Sequence, residues 1–243
     1  MDLQNKKQMN KKLLLILIFI AAPIFTVHYK QLVSNNPTPV YNMTIMLDPA
    51  GNSGYAGRII DDWFERGITL QCAEQLKEQL EQNYPGVRII LTRKTAEYIQ
   101  PLQNANFSNR MNVDLYLSLH FYHEHSPKPN IYIYYFSYNN DLCTKTINLS
   151  FYPYEQAYLF NKETTKGWSQ TIKDNLSQQE YDPIFNTHGP YSLPFKPLIG
   201  IKSPAIGIEA SLKKASDWHI YIEPIMASLD PIINKHLIKD EAQ

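Results

Sequence analysis

Only two cysteines, Cys72 and Cys143, occur in 243 residues. That number excludes a Cys-rich zinc site and leaves open whether the two sulfurs pair. Cys72 sits in a helical pattern and reads as a buried apolar residue. Charge of either sign is not in excess: Lys+Arg and Asp+Glu both number 23, so the chain has no net field to draw in nucleic acid or a strongly anionic surface. No nucleic-acid partner is expected. An apolar run of full membrane-spanning length is also missing. Leu13 to Val27 covers 15 residues, whereas a spanning helix needs about 20, and Pro23 interrupts it. There is no internal repeat.

What is present bounds the answer from the other side. Apolar residues make up 44 % of the chain, enough for a sizeable core. Lys6, Lys7, Lys11 and Lys12 precede the apolar run, the order of a secretory signal. Residues 1–28 therefore read as a signal peptide or an uncleaved N-terminal membrane anchor, and the rest of the chain as exported to the periplasm or cell envelope. Residues 29–43 read as a linker, 44–238 as one catalytic-type domain, and 239–243 as a tail. Seven of the 17 tyrosines cluster between Tyr132 and Tyr158, a surface for stacking on sugars or the edge of a core. The polar-aromatic part, 138–160, reads as an insertion.

Short apolar strands alternate with helical patterns, which argues an α/β fold. Strands are expected at Thr44–Leu47, Val87–Thr92, Ile131–Ser137, "LIGI" (198–201) and "AIGIEA" (205–210). In "DLYLSLH" the leucines share one face, with Tyr116, Ser118 and His120 on the other. Phe64, Ile68, Cys72, Leu76 and Leu80 recur every four residues along a helix from Trp63 to Glu81 that "NYPG" ends. Helices are also expected over 101–111, 155–177 and 218–237, the last broken near Pro224 and Pro231. Four prolines make 181–197 a long loop.

Two strand ends carry chemistry. His120 closes one apolar strand and Glu209 another, and ligand groups in open α/β sheets gather outside the strands' carboxyl ends. Glu65, at the start of the first helix, completes a set typical of a metal hydrolase, although a first-turn Glu is also favoured by the helix dipole alone. His123, His125 and His188 read as solvated loop histidines. Asp48 and Arg93 read as structural.

"IMLDPAG", "FERGITLQCAEQLKEQL", "VRIILTR", "VDLYLSLH" and "SPAIGIEAS", in this order from about Thr44 to Lys235, resemble the zinc-dependent N-acetylmuramoyl-L-alanine amidases, cell-wall hydrolases. The resemblance implies a single domain with a central mixed, mostly parallel sheet flanked by helices. It implies Glu65 and His120 as zinc ligands, Glu209 as the catalytic carboxylate, and peptidoglycan or a muropeptide as the substrate. In two respects the chain departs from the family, one being "HFY" from His120 onward in place of the family's H-A-N. The first loop reads Asp48-Pro49-Ala50-Gly51-Asn52-Ser53, without the family's ligand histidine, and Asn52 offers only an amide oxygen in its place. Three readings follow: an amidase-like hydrolase with a remodelled metal site; a descendant that binds peptidoglycan or an envelope partner without cleaving; and an unrelated α/β envelope protein.

Overall fold

Apolar strands alternating with amphipathic helices have one compact solution, a sheet covered by helices, and the computed structural model has it over residues 41–100, 102–138 and 152–241. In chain order the elements are β1 (Met43–Pro49), β2 (Ile59–Ile60), β3 (Trp63–Phe64), α1 (Glu65–Asn83), β4 (Val87–Leu91), α2 (Gln103–Met111), β5 (Leu115–His123) and β6 (Asn130–Phe136). A 3-10 helix (Tyr154–Asn161), α3 (Lys162–Leu176), β7 (Asn186–Leu193), β8 (Ala205–Leu212) and α4 (Ile222–Glu241) follow. The six-stranded sheet runs β4-β1-β5-β8-β6-β7. Neighbours are parallel except β6 against β8, the mixed, mostly parallel sheet expected.

The period of two along each strand sends alternate side chains to opposite faces. Ile45, Leu47, Leu117, Leu119, Ile206 and Ile208 form one buried face. Against it pack Ile68, Cys72, Leu76 and Leu80 of α1, Ile172 of α3, and Ile225 and Leu229 of α4. On the other face Met46, Tyr116, Phe136 and Ala205 pack with Ala105 of α2 and with Leu198 and Ile201. This second cluster ends before the last residues of β5 and β8. His120 and Glu209, register partners on those strands, are consequently half-buried rather than covered.

Four expectations are corrected. The first helix begins at Glu65, because Trp63 and Phe64 pair with Ile59–Ile60 in a two-stranded ribbon that leaves Phe64 exposed. Within 181–197, residues Asn186–Leu193 form the edge strand β7 instead of loop, and its register against β6 slips between Tyr132 and Tyr134. An edge strand with a bulge is where a sheet accepts proline, here Pro190. "LIGI" is not a strand: a 3-10 turn (Lys196–Leu198) ends there, and Leu198 and Ile201 fill the second cluster from irregular backbone. The last helix is continuous from Ile222 to Glu241 with Pro231 inside; Pro224 falls in its first turn, where no intrahelical N–H partner is lost. The signal or anchor segment, most of the linker, Cys143 and residues 139–151 of the expected insertion lie outside the described residues. Among the described residues no helix is long and apolar enough to cross a membrane.

Candidate active site

The site grows from the end of β1. Asp48 is buried and its carboxylate accepts from Thr92 Oγ1 at 2.7 Å, Asn104 Nδ2 at 2.8 Å and Ser118 Oγ at 3.0 Å. Having given its proton to Asp48, the Ser118 hydroxyl can only accept from His120 Nε2, 2.9 Å away. The other ring nitrogen, His120 Nδ1, faces Glu65 Oε1 at 3.7 Å. Arg93, also buried, donates to the carbonyls of Pro49, Ala50 and Arg66 at 3.1, 3.0 and 2.8 Å. It ties the loop after β1 to α1, as a structural residue does.

Glu65 opens α1 with no side-chain cap ahead of it and folds back into the site. Its Oε1 accepts the Phe121 amide and its Oε2 the Arg58 amide, both at 3.0 Å. Burial pushes this carboxyl up, but His120 and the two amides pull it further down, so it settles below the ordinary range. Gly57 makes the approach possible. Its φ is +77°, and a Cβ there would stand 2.7 Å from Glu65 Oε2.

The next residue, Arg58, reaches across to β8. Its Nη1 lies 2.6 Å from Glu209 Oε1 and donates to the Phe121 carbonyl at 3.2 Å. Burial alone would lower the guanidinium; Glu209 outweighs it and holds the charge more firmly than usual. Tyr134, on β6, donates to the other Glu209 oxygen at 2.9 Å, and burial followed by Glu209 raises the phenol. Both Glu209 oxygens thus have a donor. Phe195 lies on Gly207, where a Cβ would meet its ring at 2.7 Å; it stacks on Tyr134 at 5.0 Å and meets His120 edge-on at 5.1 Å. A cleft of about 460 Å³ opens here, its wall including Tyr55, Arg58, Glu65, His120 and Phe195.

The structure brings Glu65, His120 and Glu209 to one end of the sheet. Asn52 borders the same cleft, but its Oδ1 accepts the amides of Gly54 and Tyr55 at 2.8 and 3.1 Å. That oxygen shapes the loop and is not held toward Glu65 and His120. The other histidines stand elsewhere: His123 and His125 pack on each other at 4.5 Å, and His188 stacks on Tyr132 and bonds Asn130. Among the described residues no group of three or more His, Cys, Asp or Glu is placed to hold a metal. Arg58, Ser118, Tyr134 and Phe195 are site residues that sequence reasoning missed. Period-two alternation in β5 and β6 could have found Ser118 and Tyr134, whereas nothing local marks Arg58.

Glu65 at the start of α1 and His120 on β5 line an open cleft, with Glu209 of β8 held behind Arg58, the layout of a candidate hydrolase site in an α/β fold. The chain belongs to the N-acetylmuramoyl-L-alanine amidase family, Amidase_3, whose profile matches residues 45–217. It is 30 % identical over 76 residues to the sporulation-specific N-acetylmuramoyl-L-alanine amidase of Bacillus subtilis, a stretch covering 31 % of this chain and 30 % of that one. N-acetylmuramoyl-L-alanine amidase CwlM of Bacillus licheniformis is 29 % identical over a stretch of the same length. The match thus spans less than a third of either curated relative. In fold the chain resembles the apo form of the amidase Ami1 of Mycobacterium abscessus, with a TM-score of 0.58 at 18 % identity, covering 79 % of this chain and 98 % of that one.

Proposed function

We propose that the protein is a peptidoglycan amidase-like hydrolase acting on the amide between the lactyl group of N-acetylmuramic acid and L-alanine of the stem peptide. Glu209 is the carboxylate that takes the proton of the attacking water and returns it to the leaving amine. Tyr134 and Arg58 orient it, and Phe195 walls the cleft. The observation that carries the reading is the arrival of Glu65, His120 and Glu209 at one end of the sheet, all within the stretch the family matches. The place of action is the cell wall, reached by export under the N-terminal basic-apolar segment, either cleaved or kept as an anchor.

Amidases of this family generally depend on zinc, which supplies an activated water when bound. The fit here is incomplete. Glu65 Oε1 and His120 Nδ1, 3.7 Å apart, are somewhat further apart than two ligands of one tetrahedral zinc, about 3.3 Å for bonds near 2.0–2.1 Å. A catalytic zinc takes three protein ligands, and the oxygen of Asn52 is spent on its own loop. The residues present do not make a zinc site, and no step is assigned to the metal.

A second reading, binding without cleavage, is favoured by the Arg58–Glu209 pair, which leaves the Glu209 side chain 13 % exposed. Incubating the full-length protein with purified peptidoglycan separates the two. New N-terminal alanine, released at a rate that falls about 10²-fold or more in Glu209→Gln, supports hydrolysis. Co-sedimentation without release supports the second reading, and the absence of both release and co-sedimentation sinks both.

A further inference from the structure

The loop from Gly51 to Arg58 lacks a ligand histidine, yet it is not loosely built. The positive φ of Gly57 lets the backbone close onto Glu65. The Arg58 amide then bonds Glu65 Oε2 at 3.0 Å. From that anchor the side chain passes the Tyr122 ring, 5.9 Å from its centroid, and ends on Glu209 Oε1 and the Phe121 carbonyl, both through Nη1. The charge of Glu65 acts on the guanidinium as well. Two carboxylates in a half-buried site need a compensating cation, and here the chain supplies one covalently.

We propose that Arg58 is the resident cation of this cleft, its guanidinium paired with Glu209 and its backbone amide with Glu65, in place of a metal ion. Arg58, rather than Glu209, forms the cleft wall at this point, so a ligand oxygen entering there meets planar N–H donors, the geometry for which guanidinium is suited. A dication approaching Glu65 and His120 meets a fixed positive charge and finds Glu209 already taken. Exclusion of metal thus has two sources: the missing third donor and Arg58. The inference rests on the family's site having been kept in place. Its test reads metal and not turnover, so it stands or falls apart from the proposed hydrolysis.

Full-length wild type, Arg58→Ala, Arg58→Gln and the double variant Arg58→Ala/His120→Ala are equilibrated with zinc chloride and desalted. Zinc per chain is counted by mass spectrometry, and melting temperature is recorded with and without zinc. Wild type is expected to retain far less than one zinc and to show no zinc-dependent shift. The Arg58 variants should bind zinc about 10-fold more tightly or better, the size of an outer-shell effect, and the double variant should lose it again. Arg58→Gln keeps most of the side chain's packing should the alanine variant fail to fold. Near one zinc per wild-type chain, or Arg58 variants that bind no more than wild type, would overturn the proposal.

Discussion

Arg58 and Glu209 are joined at 2.6 Å across the end of the sheet, one from a glycine-rich loop and the other from a buried strand. The pair is asymmetric, with the Arg58 side chain 48 % and the Glu209 side chain 13 % exposed. Solvent screens the exposed partner, so a double-mutant cycle of Arg58→Ala and Glu209→Gln, followed by urea unfolding, should give a coupling of about 1 kcal/mol or less. A coupling of several kcal/mol would mean the pair is a dry structural bridge and not a site contact.

Asp48 is the most heavily committed side chain near the site, with three donors converging on it. Asp48→Ala leaves Thr92, Asn104 and Ser118 without their acceptor; Thr92 and Ser118 are buried, and each orphaned buried donor costs about 1–3 kcal/mol, whereas Asn104 borders the cleft. The expected loss is at least about 2 kcal/mol in urea unfolding. A loss below 1 kcal/mol would show that the Asp48–Ser118–His120 chain does not hold the imidazole.

Gly57 links backbone geometry to the site. Gly57→Ala forces a side chain onto φ +77° and into Glu65 Oε2, at a cost of about 1–3 kcal/mol. The loop must move, and Arg58 with it. Melting curves should show the destabilisation, and in Gly57→Ala the removal of Arg58 should then change zinc retention less than it does in wild type. An alanine variant as stable as wild type would contradict the close approach.

Gly207→Ala tests the wall. Its added Cβ overlaps the Phe195 ring, which must swing off Tyr134 and away from His120. Because the ring is only partly buried, stability should fall by no more than about 1–3 kcal/mol, while affinity for peptidoglycan falls. Unchanged co-sedimentation with peptidoglycan would remove Phe195 from the site.

Much of this arrangement was legible in the sequence. Alternation in "DLYLSLH" assigned Leu117 and Leu119 to one face and His120 to the other, and the sheet follows it. The four-residue spacing from Ile68 to Leu80 placed α1 against the core. What escaped was set by tertiary context. Pro190 and Gly189 read as loop because the sequence does not reveal that β7 is an edge strand with a bulge. Leu198 and Ile201 read as strand because burial, whatever the backbone, selects apolar residues. Arg58 was invisible because its partners, Phe121 and Glu209, lie 63 and 151 positions away in the chain; only the positive φ of Gly57 aims it.

The central claim, that this site cleaves the N-acetylmuramoyl–L-alanine amide through Glu209, is tested most directly on a defined muropeptide. The full-length protein is incubated with an N-acetylmuramoyl peptide and the products are separated by chromatography and weighed. Wild type should yield free N-acetylmuramic acid and a peptide beginning with L-alanine, with Glu209→Gln yielding neither above background. An intact muropeptide after prolonged incubation with wild type, or equal cleavage by Glu209→Gln, would contradict the account.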